Sequence, residues 1–227
     1  MFTQQHFFQR MSDMSYFLKL NKKFHLSGES RKGKSIVSHG KNVNEEFMGV
    51  NYIGIATSDA AEIFSVIPER FRPDFHLVLM NINSFIPPHI DNSITSTINF
   101  YIKPDECKTQ FYEFKGDVKS KTNVYSLDEL EAAESFFADD YSAYLLDVTK
   151  PHAVWDMGDD LINDQMKIMH TYEDAKADMV PDMSKKQADF PMGYKNTNRV
   201  AICLQSSKHC FDDVKKMLQE TGYAEVA

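Results

Sequence analysis

The length, composition and charge of the chain already exclude several classes of protein. Its 227 residues are 42% hydrophobic and 12% aromatic, which is too apolar for a disordered protein and long enough to bury a real core. Three cysteines cannot form a closed disulfide framework, and a formal net charge of −8 disfavours broad phosphate binding. We therefore expect one cytoplasmic domain over residues 1–227.

The charge is unevenly distributed along the chain. Residues 1–42 contain eight Lys/Arg and two Asp/Glu, whereas residues 156–190 contain nine Asp/Glu and four Lys. We interpret the basic arm 1–42 as a solvated face, which makes nucleic acid an unlikely partner. We interpret 156–198 as an acidic insertion. The N-terminus has neither a long apolar run nor a small-residue cleavage site, so we expect no membrane association and no signal peptide.

In chain order, the predicted elements are short strands in the middle and at the end of the chain, with helices at the flanks. Thr57-Ser58-Asp59 precedes a short helix, and strands are predicted at 74–85, 95–103 and 109–114. Ser126 and Glu129 form a capping box that predicts a helix over 126–137. Strands at 141–148, 152–157 and 199–205 and a C-terminal helix within 207–222, ending near Gly222, complete the series. This order favours a mainly β sandwich or jelly roll over an alternating βαβ sheet.

One short motif, His89-Ile90-Asp91, combines two metal-ligating side chains. Residues two apart on an extended strand project to the same face, so the imidazole and the carboxylate would enter one cavity. His152 follows the break at Lys150-Pro151 and is the candidate third ligand. Two histidines and one carboxylate on one face leave three coordination positions open, which is the arrangement of non-haem Fe(II) oxygenases.

Arg199 opens the last predicted core strand, with Ala201, Cys203 and Gln205 on the same side of the strand. A guanidinium at the end of a β pocket can bind a carboxylate through two parallel hydrogen bonds. A salt bridge to the acidic insertion is the competing interpretation of this residue.

With these motifs, the sequence resembles the 2-oxoglutarate- and Fe(II)-dependent oxygenases over about residues 75–206. The resemblance implies a double-stranded β-helix (jelly roll, cupin-like), with His89, Asp91 and His152 holding Fe(II) and Arg199 binding 2-oxoglutarate. It further implies O₂-dependent hydroxylation of an amino acid, a peptide or protein side chain, or another small molecule, with release of succinate and CO₂. Family members place the arginine close after the distal histidine, whereas here the acidic insertion separates the two.

Three further residues are candidates for polar contacts with the co-substrate. Asn81 and Asn83 share one face of the strand before the H-x-D motif, and Tyr101 lies on the following strand. Two other functions compete with an oxygenase. One is a cupin-like metal-dependent isomerase or lyase, and the other is a jelly-roll binding module without enzymatic activity.

Overall fold

The computed structural model defines the chain in seven stretches. The residues it describes are 15–27, 30–38, 50–82, 86–91, 93–116, 125–156 and 199–225. Asn83, most of the acidic insertion and the ends of the basic arm lie outside these residues. In the stretches that are described, no helix is long and apolar enough to cross a membrane.

Within the described stretches the chain forms eleven strands and two α-helices. The strands are β1 (Phe17–Lys19), β2 (Ser30–Ser38), β3 (Val50–Thr57), β4 (Phe75–Ile82), β5 (Ile86–His89), β6 (Ser96–Lys103), β7 (Cys107–Phe114), β8 (Leu130–Phe137), β9 (Ala143–Leu146), β10 (His152–Asp156) and β11 (Arg199–Ser206). The helices are α1 (Ala60–Phe64) and α2 (Phe211–Glu220), and short 3-10 segments cover Glu69–Asp74 and Leu127–Glu129.

The described strands build two antiparallel sheets. The larger has the order β1-β9-β6-β11-β4-β3-β2, and the smaller has the order β5-β10-β7-β8. From β4 to β11 the chain passes repeatedly between the sheets and places four of these eight strands in each. This strand order is that of a jelly roll, so the predicted fold class is confirmed. Strands β1, β2 and β3 extend the larger sheet beyond the jelly roll.

The two faces of the larger sheet bury different sets of residues, as the alternation along a strand requires. On β4, Val78, Met80 and Ile82 point between the sheets, where they pack with Phe111 of the smaller sheet. The opposite face carries a second apolar cluster that includes Phe100 and Ile202 and is covered by residues of α1 and α2. The helices therefore shield the outer face and leave the space between the sheets for a site.

The prediction of a helix over 126–137 is wrong. The Ser126–Glu129 capping box is present, but it caps only the turn Leu127–Glu129, after which the chain enters β8. Helix propensity is a weak local preference that tertiary contacts override. Here β8 pairs with β7, and Leu130 and Phe136 are buried.

The other predicted elements agree with the structure apart from their ends. The strand predicted at 141–148 covers only Ala143–Leu146, because Tyr141 has a positive φ of 63°. The C-terminal helix is confirmed as Phe211–Glu220, and Gly222 follows it with a φ of 78°, where a glycine is favoured. Strands β1, β2, β3 and β5 were not predicted.

Candidate metal centre

The three candidate ligands meet at the end of the smaller sheet. His89 is the last residue of β5, and His152 is the first residue of β10 and pairs directly with His89. The backbone N–H of Asp91 donates to the carbonyl of Val148 (3.1 Å), which fixes the turn that follows β5. One ligand atom from each of the three side chains lies within 4.8 Å of the others.

Both imidazoles are oriented by a backbone carbonyl two residues earlier in the chain. Nδ1 of His89 lies 2.9 Å from the carbonyl oxygen of Pro87, and Nδ1 of His152 lies 2.9 Å from that of Lys150. A carbonyl can only accept, so each Nδ1 carries a proton and each Nε2 is the nitrogen that faces the site. Carbonyl contacts of this kind hold the rings of metal-ligating histidines.

The electrostatics of the two histidines differ. Burial lowers the pKa of His152 to about 4, and the neighbouring His89 adds to this effect. Burial also acts to lower the pKa of His89, but the hydrogen bond and charge of Asp91 outweigh it, so that pKa is raised above its ordinary value. His152 is therefore neutral at pH 7 and can bind a cation directly. His89 holds its proton to a higher pH than an ordinary imidazole and must lose that proton when a cation binds.

The donor set fits a divalent cation. Two neutral imidazole nitrogens and one carboxylate oxygen suit a transition metal, and their placement on one side leaves the other side open. His89 contacts Asp91 (Nε2 to Oδ1, 3.2 Å), as a simple ion pair would. His152 is only 7% exposed, and its ring lies 4.3 Å from that of His89. The three residues could therefore hold a metal ion.

Arg199 lies in the same cavity as these ligands. Its side chain is 1% exposed, and its guanidinium lies over the ring of Tyr101, with a centroid distance of 4.7 Å. One terminal nitrogen, Nη2, donates to the hydroxyl of Tyr101 (2.7 Å) and to that of Thr109 (2.8 Å). The Nε and Nη1 nitrogens are buried and have no hydrogen-bond partner among the residues that the structure describes.

No carboxylate of the described residues pairs with Arg199. The salt bridge to the acidic insertion that competes with a ligand-binding role involves residues outside that part of the chain. A buried guanidinium with two unsatisfied donor nitrogens is costly, because desolvation is not offset by pairing. An anionic ligand in the cavity would supply the missing partner.

The cavity lies between the two sheets. His89, Asp91, His152 and Arg199 all line it, as does Tyr101. Its remaining walls come from both sheets and include Tyr52, Met80, Ile86, Leu146, Val148 and Val154.

The structure does not place Asn81 in this cavity. Val78, Met80 and Ile82 of β4 point between the sheets, so Asn81 lies on the opposite face with Leu77 and Leu79. The expectation that it contacts the co-substrate is corrected by this alternation. The matching expectation for Asn83 falls outside the described residues.

Several polar residues of the cavity were not singled out from the sequence. Thr109 was predicted only as part of a strand, although its hydroxyl contacts Arg199. Tyr52 comes from β3, which was not predicted, and burial together with the nearby Asp91 raises the pKa of its phenol well above the ordinary value. Asn99 lies on a predicted strand, where alternation could have marked it as inward-facing, as it did for Gln205 on the side of Arg199.

Comparisons with known proteins found matches among solved structures alone. No family model and no curated protein matches it. Among solved structures it is similar to vicilin from hazelnut (Corylus avellana), at 11% identity and a TM-score of 0.32, over 83% of this chain and 32% of the vicilin chain. The chain thus spans about a third of the length of that protein. The fold assignment rests on the strand order described above.

Proposed function

We propose that this chain is an Fe(II)- and 2-oxoglutarate-dependent oxygenase that hydroxylates a small molecule or a peptide side chain. The observation that supports this most strongly is the buried Arg199, whose unpartnered nitrogens line the same cavity as His89, Asp91 and His152. One cavity thus offers a cation site and, apart from it, an anion site. A dicarboxylic oxoacid that bridges the two satisfies both.

The metal ligands and the backbone carbonyls that orient them have separate roles in the proposed reaction. His89, Asp91 and His152 would hold Fe(II), and their placement on one side leaves positions for an oxoacid and O₂. The bound iron and co-substrate would supply the O₂-dependent oxidation, in which 2-oxoglutarate leaves as succinate and CO₂. The carbonyls of Pro87 and Lys150 keep the two imidazoles in the ligating orientation.

Arg199 and its neighbours would bind the distal carboxylate of 2-oxoglutarate. The hydroxyls of Tyr101 and Thr109 hold Nη2, so Nε and Nη1 remain as charged N–H donors for a carboxylate oxygen. Burial strengthens this interaction, because the surroundings of the guanidinium have a low dielectric constant. Met80, Ile86 and Val154 line the same cavity and would exclude water from the aliphatic part of the co-substrate.

The competing functions do not require this arginine. A cupin-like isomerase or lyase, or a binding module without activity, needs no buried cation without a partner beside its metal site. Such a cation lowers the stability of the ligand-free fold, so its presence favours a function in which an anion enters the cavity.

Visible spectroscopy under anaerobic conditions tests the proposal. Fe(II) followed by 2-oxoglutarate should give a weak charge-transfer band, and admission of O₂ should then release succinate. The matched control is 2-oxopentanoate, which keeps the chelating oxoacid group and lacks only the distal carboxylate, so it should bind at least about tenfold more weakly. Asp91→Ala should abolish the band. Absence of any band in the wild-type protein with Fe(II) and 2-oxoglutarate would refute the proposal.

A further inference from the structure

A second polar group lines the cavity, apart from Arg199. It consists of Thr97 and Asn99 on β6 and Gln205 on β11, which are 4%, 5% and 7% exposed. Thr97 pairs with Gln205 across the two strands, and Asn99 pairs with Cys203. We call these three residues the amide patch.

The amide patch begins two residues from Tyr101 on β6 and extends along the strand away from it. Arg199 binds the hydroxyl of Tyr101, and Thr97 precedes Tyr101 by four residues on β6, a separation of roughly 13 Å along a strand. On the side of the patch, Thr97 pairs with Leu146 of β9, which is followed by Val148, the residue that accepts from Asp91. Asp91 therefore lies close to the Thr97 end of the amide patch.

Hydrogen bonding within the patch leaves most of its capacity unused. The hydroxyl of Thr97 donates to Oδ1 of Asn99 (3.0 Å), which directs the amide N–H groups of Asn99 away from Thr97. The side-chain amide of Gln205 makes no hydrogen bond to any residue that the structure describes. Both residues line the cavity, so these amide groups are available to a ligand that enters it.

The surroundings of the patch disfavour a carboxylate. Its neighbours on the cavity wall include Leu146, Val148 and the thiol of Cys203. Asp91 lines the same cavity, and a carboxylate placed at the patch would be desolvated and repelled by this like charge.

From this arrangement we infer that the substrate carries an amide group, and no carboxylate beside it, which is recognised by Asn99 and Gln205. The N–H groups of Asn99 donate to the amide oxygen of the substrate, and Oε1 of Gln205 accepts its N–H. The substrate would then lie beside the metal site, on the side away from the 2-oxoglutarate carboxylate. This inference deepens the proposed function and depends on it for the reaction, although not for binding.

Ligand-observed NMR on the full-length protein tests the inference without turnover. The probes are the N-acetyl, N-methylamide derivatives of asparagine, alanine and aspartate, measured with the metal-free and the Zn(II)-loaded protein. The aspartate derivative has the shape of the asparagine derivative and a negative charge. Binding of the asparagine derivative alone identifies a side-chain carboxamide as the recognised group, and equal binding of the alanine derivative identifies the peptide amide.

Variants at position 205 measure how much Gln205 contributes to probe binding. We expect Gln205→Leu to weaken binding of the neutral probe roughly ten- to a hundredfold, because it removes the hydrogen bond that Oε1 accepts and leaves the N–H of the bound amide without a partner. Gln205→Glu keeps the volume of the side chain and should give a similar loss if the leucine variant folds poorly. The matched control is Gln219→Leu, which removes an amide from α2 and should leave binding unchanged.

Three results would overturn the inference. They are no binding of either neutral probe to the wild-type protein, equal binding of the aspartate derivative, and unchanged binding in both Gln205 variants. A fall in 2-oxoglutarate affinity as large as the fall in probe affinity would also overturn it, because Gln205 would then contact the co-substrate. Probe binding that depends on Gln205, in a protein that binds no 2-oxoglutarate, would refute only the proposed function.

Discussion

The variant Arg199→Met tests whether Arg199 binds a ligand or has a structural role. Methionine keeps most of the volume of the side chain and removes its charge and donors. In the wild-type protein the two hydrogen bonds from Nη2 contribute about 1.5–3 kcal/mol each. Against this, the unpartnered Nε and Nη1 cost about 1–3 kcal/mol each.

These opposing contributions are of similar size, so the variant should keep nearly the stability of the ligand-free protein. We expect Arg199→Met to change the free energy of unfolding by less than about 2 kcal/mol, whereas breaking a buried ion pair would cost about 3–5 kcal/mol. Urea denaturation of the metal-free protein measures the change. A loss in the higher range would mean that Arg199 has an anionic partner within the fold.

The response to ligand should differ sharply between the two proteins. At a hundred times its Kd, 2-oxoglutarate stabilises a protein by about 2.7 kcal/mol, which for a chain of this size raises Tm by roughly 5–11 °C. We expect this shift in the Fe(II)-loaded wild-type protein under argon, and little or none in Arg199→Met. Arg70→Met is the matched control, since Arg70 is exposed on the surface beside Glu220. An unchanged shift in Arg199→Met would refute the assignment of Arg199 to the co-substrate.

Four further predictions address the metal site and the fold. His152→Ala should lower Fe(II) affinity at least about a hundredfold in a chelator competition, and circular dichroism should stay unchanged because backbone pairing holds β10. Metal affinity should fall about tenfold per pH unit below the raised pKa of His89, since one proton must leave, and His152 should add a second proton only near pH 4. Phe100→Ala should cost about 3–5 kcal/mol in urea denaturation because the ring is fully buried. Ser126→Ala should cost about 0.5–2 kcal/mol by loss of the capping box, without effect on Fe(II) affinity.

Each of these predictions has a result that contradicts it. Unchanged Fe(II) affinity in His152→Ala would remove this histidine from the ligand set. A pH slope of two protons around pH 6 would show that both histidines are protonated there. A small effect of Phe100→Ala would mean that the outer cluster of the larger sheet is loosely packed, and weaker Fe(II) binding in Ser126→Ala would couple the β8 turn to the site.

The local sequence pattern was sufficient to predict strands in which apolar and polar residues alternate or apolar residues are continuous. Residues 199–205 contain β-branched and apolar residues in a run too short for a helix, and the structure has β11 there. The segment 126–137 misled the prediction, because Leu, Glu and Ala favour a helix in isolation and only pairing with β7 makes it a strand. The short β5 contains two prolines, which are rare in strands, so the sequence does not predict a strand there. It is recognisable only from its pairing with β10.

The sequence by itself determined the composition of the candidate centre: His89 and Asp91 two residues apart, a distal histidine at the start of a strand, and an arginine that opens the last core strand. Chemistry and spacing along one strand are local properties, so they can be read without a fold. Only the tertiary structure decided that His152 pairs with His89, that Asn81 points away from the cavity, and that Tyr101 and Thr109 hold Arg199 with two nitrogens unpartnered. These facts depend on which strands pair and in which register, and contacts between residues so far apart in the chain are set by the packing of the whole jelly roll.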